Sequence, residues 1–366
     1  MTAVAIDEIF FRATPVLMGV CPHSFAWLVG QKGPDRSGAT WTAALEGFES
    51  VQQVLSDGGL GLAKGVTELQ RRQKAAGKAV CSASLDLFHL KQDANRVLRQ
   101  VWQRAEAVWD AEVAADRCRP IHDGMRRSAL PVRPVRAKAE AAYRSAESQE
   151  QAWTRIATAL EWFRPDGSLN DRTWAEGEIA AARAGLIHAK WKKVKRALDD
   201  PRTLNFLDHL EAQLTQAVPE RELRAALVER WRLRHVGGKR TAEQVVKEVL
   251  QTTICRQMSS EWAIAYAKVS RVLSRAVRAS SAVECVNSVI RMHQSRQRNV
   301  NPGMLDLKRL WWNTRKFGAG KRKRKSPYEL LGLAKVGEFW TVLHADPSKL
   351  ACRLAPSLPA ENLSSS

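Results

Sequence analysis

No two of the six cysteines (Cys21, Cys81, Cys118, Cys255, Cys285, Cys352) stand in a CxxC pair. That spacing excludes the usual zinc knuckles and a disulfide framework, and predicts free thiols in a reducing compartment. No apolar run approaches the eighteen or so residues of a membrane span. The stretch MTAVAIDEIFF lacks a basic n-region and is interrupted by Asp7 and Glu8, so it is not expected to act as a secretory signal. Acids are few: 38 against 58 lysines and arginines, leaving a formal charge of +20. That imbalance favours a polyanionic partner, and nucleic acid is the commonest.

What is present divides into a strand-rich part and a helix-rich part. AVAIDEIFF reads as a strand with Asp7 in mid-run. Val16–Cys21 and Phe25–Val29 read as two more, and together they make a meander. A loop over Gly30–Gly38 and a short helix over Thr40–Phe48 follow. Then VQQVLSDGGLGLAKGV reads as strand, tight turn and helix, the helix reaching about residue 76. Ala79–Leu85 is a fifth strand. From residue 90 helical spacing dominates, with helices expected over 135–163, 171–198, 203–216, 219–235, 241–256, 260–278 and 281–297. Pro120–Pro134, rich in proline and arginine, is expected to be a linker. Residues 345–366 are expected to form a loose tail. Between residues 286 and 325 stand twelve basic residues and one acid, Asp306. Most of the thirteen tryptophans sit at helical spacing and read as core.

Three acids attract attention. A carboxylate inside a buried strand, as at Asp7, is costly unless it meets a cation or another partner. Asp57 closes the fourth strand before Gly58-Gly59, and the same pair is also ordinary turn chemistry. Glu284 stands three residues after Ser281 at the start of a late helix, and Ser281-x-x-Glu284 also fits a capping box. Three strands, a helix, a strand, a helix and a strand is the order of a ribonuclease-H-like core. In that fold the first and fourth strands are neighbours, which would bring Asp7 beside Asp57. Two such carboxylates need a proton or a cation between them, and a third from a helix would complete an oxygen-ligated two-metal site.

The ordered set AIDEIFF, VLSDGGLGLAKGV, LDLFH and SSAVECVNSVIRMHQSRQRNVNPGMLDLKRLWWNTRKFGAGKRKRKSPYELLGL resembles the DDE transposases of bacterial insertion sequences. The resemblance covers about residues 1–90 and 260–335. It implies an α/β, ribonuclease-H-like mixed-sheet core interrupted by a large all-α insertion of the hAT-like kind, with a basic helical C-terminal segment. The boundaries would be 1–90 and 260–300 for the core, 91–259 for the insertion, and 301–366 for the basic segment and tail. It implies Asp7, Asp57 and Glu284 as catalytic metal ligands, two Mg²⁺ or Mn²⁺ ions, and Asp86 and His89 as a C/D-x-x-H pair that orients the site.

Arg291, Lys316, Lys321, Arg322, Lys323, Arg324 and Lys325 are the expected DNA contacts. Double-stranded DNA (element ends and target) is the expected partner, with a homodimer on paired ends. No membrane association is expected, and the expected location is cytoplasmic and nucleoid-associated. Val277 and Ser280 stand where some transposases carry a tyrosine and an arginine, and Arg291 keeps the third, basic position. Such proteins commonly carry a helix-turn-helix domain before the catalytic one, and none precedes Asp7. The alternative expectation is therefore a truncated or inactive transposase-derived DNA-binding protein.

Overall fold

The computed structural model describes residues 3–124, 132–235, 240–278, 280–294, 301–333 and 338–344. The chain forms two compact units, residues 1–86 with 277–366, and residues 87–276.

The first unit is a five-stranded mixed sheet between helices. Strands β1 (Ala3–Phe11), β2 (Thr14–Val20) and β3 (Trp27–Lys32) form an antiparallel meander. Helix α1 (Gly38–Ala44), strand β4 (Gln53–Ser56), helix α2 (Leu60–Ala75) and strand β5 (Ser82–Leu85) follow. The strand order is β3-β2-β1-β4-β5, with β1–β4 and β4–β5 parallel. Ile6 pairs with Ser56, and Asp7 lies across from Met18.

The period-two alternation of a strand divides β1 between two cores. Ala3, Ala5, Ile9 and Phe11 pack with Ala282, Val283, Val286 and Ile290 of a late helix, Ser281–Gln294. Val4 and Ile6 pack with Trp41 of α1 and Leu62, Val66 and Leu69 of α2. Both faces are covered, so the strands read as nearly unbroken apolar runs. The third strand begins at Trp27, not Phe25, because Phe25 has φ +61 and sits in the turn.

The second unit is helical. It comprises α3 (Leu87–Gly124), α4 (Val132–Ala159), α5 (Arg172–Arg183), α6 (Lys192–Leu198), α7 (Asn205–Ala217), α8 (Arg221–Arg234), α9 (Ala242–Met258) and α10 (Trp262–Arg275). The expected linker over Pro120–Pro134 is instead helical at both ends, through Gly124 and from Val132, and residues 125–131 lie outside the described residues. The single helix expected over 171–198 breaks. Helix α5 ends at Arg183 and the chain resumes through a 3₁₀ turn at Ala189–Trp191; between them a Cβ on Gly185 would lie 2.8 Å from the Ala152 methyl. Trp153 and Trp191 are buried in this unit's core, whereas Trp109 is exposed. One face of α9 leaves Val245, Val246, Val249, Leu250 and Ile254 exposed.

After α11 (Ser281–Gln294) come α12 (Pro302–Thr314), α13 (Pro327–Leu330) and α14 (Phe339–Leu343), all in the first unit. Asn301 caps α12 by accepting the Met304 N–H, with Pro302 in the first turn. The α12 helix packs on edge strand β3. There the buried Asn313 accepts the Trp27 N–H and donates to the Trp27 carbonyl, each at 2.8 Å, so one amide completes the edge that no other described strand covers. The tail expected over 345–366 lies outside the described residues. No described helix is long and apolar enough to cross a membrane.

Candidate metal centre

Asp7 occupies the middle of β1, on the face that α11 covers, and is 8% exposed. Its Oδ1 accepts the Glu8 N–H at 2.8 Å and its Oδ2 accepts Asn287 Nδ2 at 3.0 Å. Glu284 lies in the first turn of α11, and oxygens of Asp7 and Glu284 stand within 4.8 Å of each other. The Glu284 Oε2 also receives Arg291 Nη1 at 2.9 Å.

The capping-box alternative for Glu284 does not fit this register. Ser281 is already helical, so the capping position falls on Ser280, and its box partner would be Val283. Ser280 is itself held elsewhere. Its N–H donates to Asp86 Oδ1 at 2.8 Å and its hydroxyl donates to Asp86 Oδ2. The Asp86 N–H in turn donates to the Ser56 carbonyl at 2.8 Å. Asp86, 1% exposed, thus ties the ends of β4 and β5 to the start of the helix that carries Glu284.

Comparisons with family models, curated proteins and solved structures each found no match.

Asp57 follows directly on Ser56, at the carboxyl end of the parallel β1–β4 pair. Its Oδ1 accepts the Gly59 N–H at 2.8 Å, a turn that leads into α2. Among the described residues, Asp7, Asp57 and Glu284 do not form a group with ligand oxygens all within 4.8 Å. Asp57 instead borders an open cleft of about 480 Å³ with Glu8, Asp35, Arg36, Gly61 and Lys64. Gly61 is required there, because a Cβ on it would lie 1.9 Å from the Arg36 carbonyl oxygen.

Glu8 is a site residue the sequence reading passed over. Being next to Asp7 on a strand, it faces the opposite side, where Trp41 Nε1 donates to its Oε1 at 2.7 Å. Burial lifts its carboxyl above the usual range. The Trp41 bond opposes that, the nearby Asp57 charge adds to it, and Arg36 opposes it. The tandem Asp7-Glu8 in a strand was the available signal, since period two sends one acid to each face.

His89 sits in the first turn of α3, in the helical unit, with its ring edge-on to Phe88. Of the expected DNA contacts, Lys316, Lys321, Lys323, Arg324 and Lys325 are exposed. Arg322 differs: it donates to the His23 and Pro22 carbonyls and lies 4.2 Å from the Phe25 ring centroid. Burial pulls its guanidinium below the usual range. Arg291, half exposed, pairs with Glu284. Cys21, Cys81 and Cys255 are buried free thiols, and burial pushes Cys81 up to about 11; Cys285 is exposed.

The donor set suits a hard divalent cation. Its two carboxylates are Asp7, which is buried, and Glu284, and two carboxylates this close repel unless a proton or cation intervenes. Without a cation, an arginine and an amide supply the positive ends.

Proposed function

We propose that the chain is a DDE-type transposase with a ribonuclease-H-like core, cutting phosphodiester bonds at element ends and joining them to target DNA. The observation that carries this reading is the approach of Asp7 and Glu284 to within 4.8 Å, from opposite ends of the sequence, over a sheet ordered β3-β2-β1-β4-β5. That order, with an acid on the central strand, a second acid after the adjacent parallel strand and a third on the covering helix, is what a ribonuclease-H-like nucleic-acid enzyme requires.

In this reading Asp7, Asp57 and Glu284 hold Mg²⁺ or Mn²⁺. Bound there, two such ions supply activation of the attacking oxygen and neutralisation of charge on the phosphate and leaving oxygen. Asp7 is pre-set by its bond to the Glu8 N–H. Asp57 would hold the ions with Asp7 and Glu284, and Arg291, which pairs with Glu284 here, would contact a DNA phosphate. Asp86 orients the Glu284 helix through Ser280. Lys316, Lys321, Lys323, Arg324 and Lys325 contact the DNA backbone, with a salt dependence set by counterion release. A homodimer on paired ends is part of this proposal.

A second reading is favoured by two contacts: Asp57 engaged by Gly59 and Glu284 by Arg291. It makes the chain a catalytically inactive, transposase-derived DNA-binding protein. A donor plasmid carrying the coding segment with its natural flanks separates the two. The proposal expects Mg²⁺-dependent end cleavage and strand transfer, abolished by Asp7→Asn, Asp57→Asn or Glu284→Gln with DNA binding retained in gel shifts. Metal-independent binding without cleavage by the wild-type chain supports the second reading. Loss of binding together with cleavage in Asp57→Asn would make Asp57 structural.

A further inference from the structure

We propose that Asn287 is a further oxygen ligand of the cation site, held with its amide reversed while no cation is bound. This rests on the reading of Asp7 and Glu284 as metal ligands and adds a residue to it. Asn287 is fully buried on α11, among Val283, Val286 and Ile290. It lies one turn beyond Glu284, on the helix face toward β1. Its Nδ2 donates to Asp7 Oδ2 at 3.0 Å, whereas its Oδ1 is buried with no hydrogen-bond partner among the described residues.

A buried primary amide ordinarily uses both ends. Here only the donor end toward Asp7 is accounted for. The arrangement is complete if the NH₂ group stands where a cation would, supplying the positive end of a dipole to Asp7. A cation on Asp7 repels that NH₂ group and attracts the amide oxygen. Rotation about the Cβ–Cγ bond exchanges the two atoms in nearly the same volume, so the packed core need not open. The oxygen it then offers is neutral. That suits a site where three carboxylates already balance most of the charge of two divalent ions.

The test is Mn²⁺ binding to the full chain, read by loss of the free-ion electron paramagnetic resonance signal and by the Mn²⁺-induced rise in Tm. The variants are Asn287→Leu, which keeps the shape, Asn287→Asp, and Asp7→Asn as a reference. Asn287→Leu is expected to weaken Mn²⁺ binding about tenfold or more. Asn287→Asp is expected to lower Tm without metal, because it sets a carboxylate against Asp7. It is also expected to bind Mn²⁺ at least as tightly as wild type and to show a larger Mn²⁺-induced rise. Loss of Mn²⁺ affinity in Asn287→Asp, where an oxygen is certain to face the site, overturns the proposal. Wild-type affinity in Asn287→Leu overturns it as well. If the leucine variant fails to fold, Asn287→Ala takes its place, with the same expected loss and the same overturning result. A wild-type chain that binds no Mn²⁺, or an Asp7→Asn chain that binds it unchanged, overturns the metal site and this inference together. Loss in Asp7→Asn with no change in Asn287→Leu overturns the inference alone.

Discussion

Replacing Asp86 tests whether one buried carboxylate fastens α11 to the sheet. Its side chain accepts the Ser280 N–H and the Ser280 hydroxyl, and both residues are 1% exposed. Asp86→Ala strands both donors away from water. Hydrogen bonds to a charged partner contribute about 1.5–3 kcal/mol each, so the loss is expected at about 3–5 kcal/mol. The Asp86 N–H bond to Ser56 belongs to the backbone and survives the change. Ser280→Ala removes only the hydroxyl bond and is expected to cost about 1–2 kcal/mol. In the double variant the hydroxyl bond is already gone, so the two costs fall short of additivity by about 1–2 kcal/mol. Urea unfolding followed by tryptophan fluorescence measures this. The chain has two compact units, so it is fitted with two transitions. The transition of the sheet unit is the one expected to move. Costs that add fully, or an Asp86→Ala chain within about 0.5 kcal/mol of wild type, would refute the reasoning.

Asn313→Ala orphans the N–H and C=O of Trp27 at the sheet edge and is expected to cost about 2–4 kcal/mol, measured in the same denaturation experiment. Glu8 has a folded pKa raised above its ordinary 4.5, so its contribution to stability is complete below that pH and is lost as pH rises through the raised value. Glu8→Gln is therefore expected to unfold at higher urea than wild type at pH 7, with the advantage vanishing as pH falls below 4.5; an advantage that persists in acid contradicts the assignment. Neutralising Lys321, Lys323, Arg324 and Lys325 is expected to reduce the salt slope of DNA binding by about 0.9 for each phosphate no longer neutralised. Arg322→Ala is expected instead to lower Tm, because that guanidinium holds the Pro22–His23 turn.

Much of the sheet unit is legible locally. The apolar runs around Asp7 and Val54 carry strand propensity and little helical periodicity, and Gly58-Gly59 marks the turn before α2. The Thr241-x-x-Gln244 capping box opens α9 as its pattern predicts. The acids Asp7, Asp57 and Glu284 could be selected because each is an ionisable group in an unusual local setting. Errors fell where distant contacts override local pattern. Phe25 reads as strand, but its turn, braced by Arg322 from far along the chain, gives it a positive φ. The 171–198 helix breaks near where Gly185 passes close to Ala152.

The sequence by itself determined the material of this protein: free thiols, a strongly basic surface, an apolar central strand with an acid in it, and the start of a helix carrying another. Those properties follow from composition and short-range periodicity. Only the tertiary structure decided which acids meet. Parallel pairing of β1 with β4 and the docking of α11 set Asp7 against Glu284 and Asn287, sent Glu8 and Asp57 to the cleft beside α2, and put Asp86 on Ser280. Each of these depends on strand register or helix docking between segments far apart in the chain, and a one-residue change in the register of β1 would exchange the faces of Asp7 and Glu8.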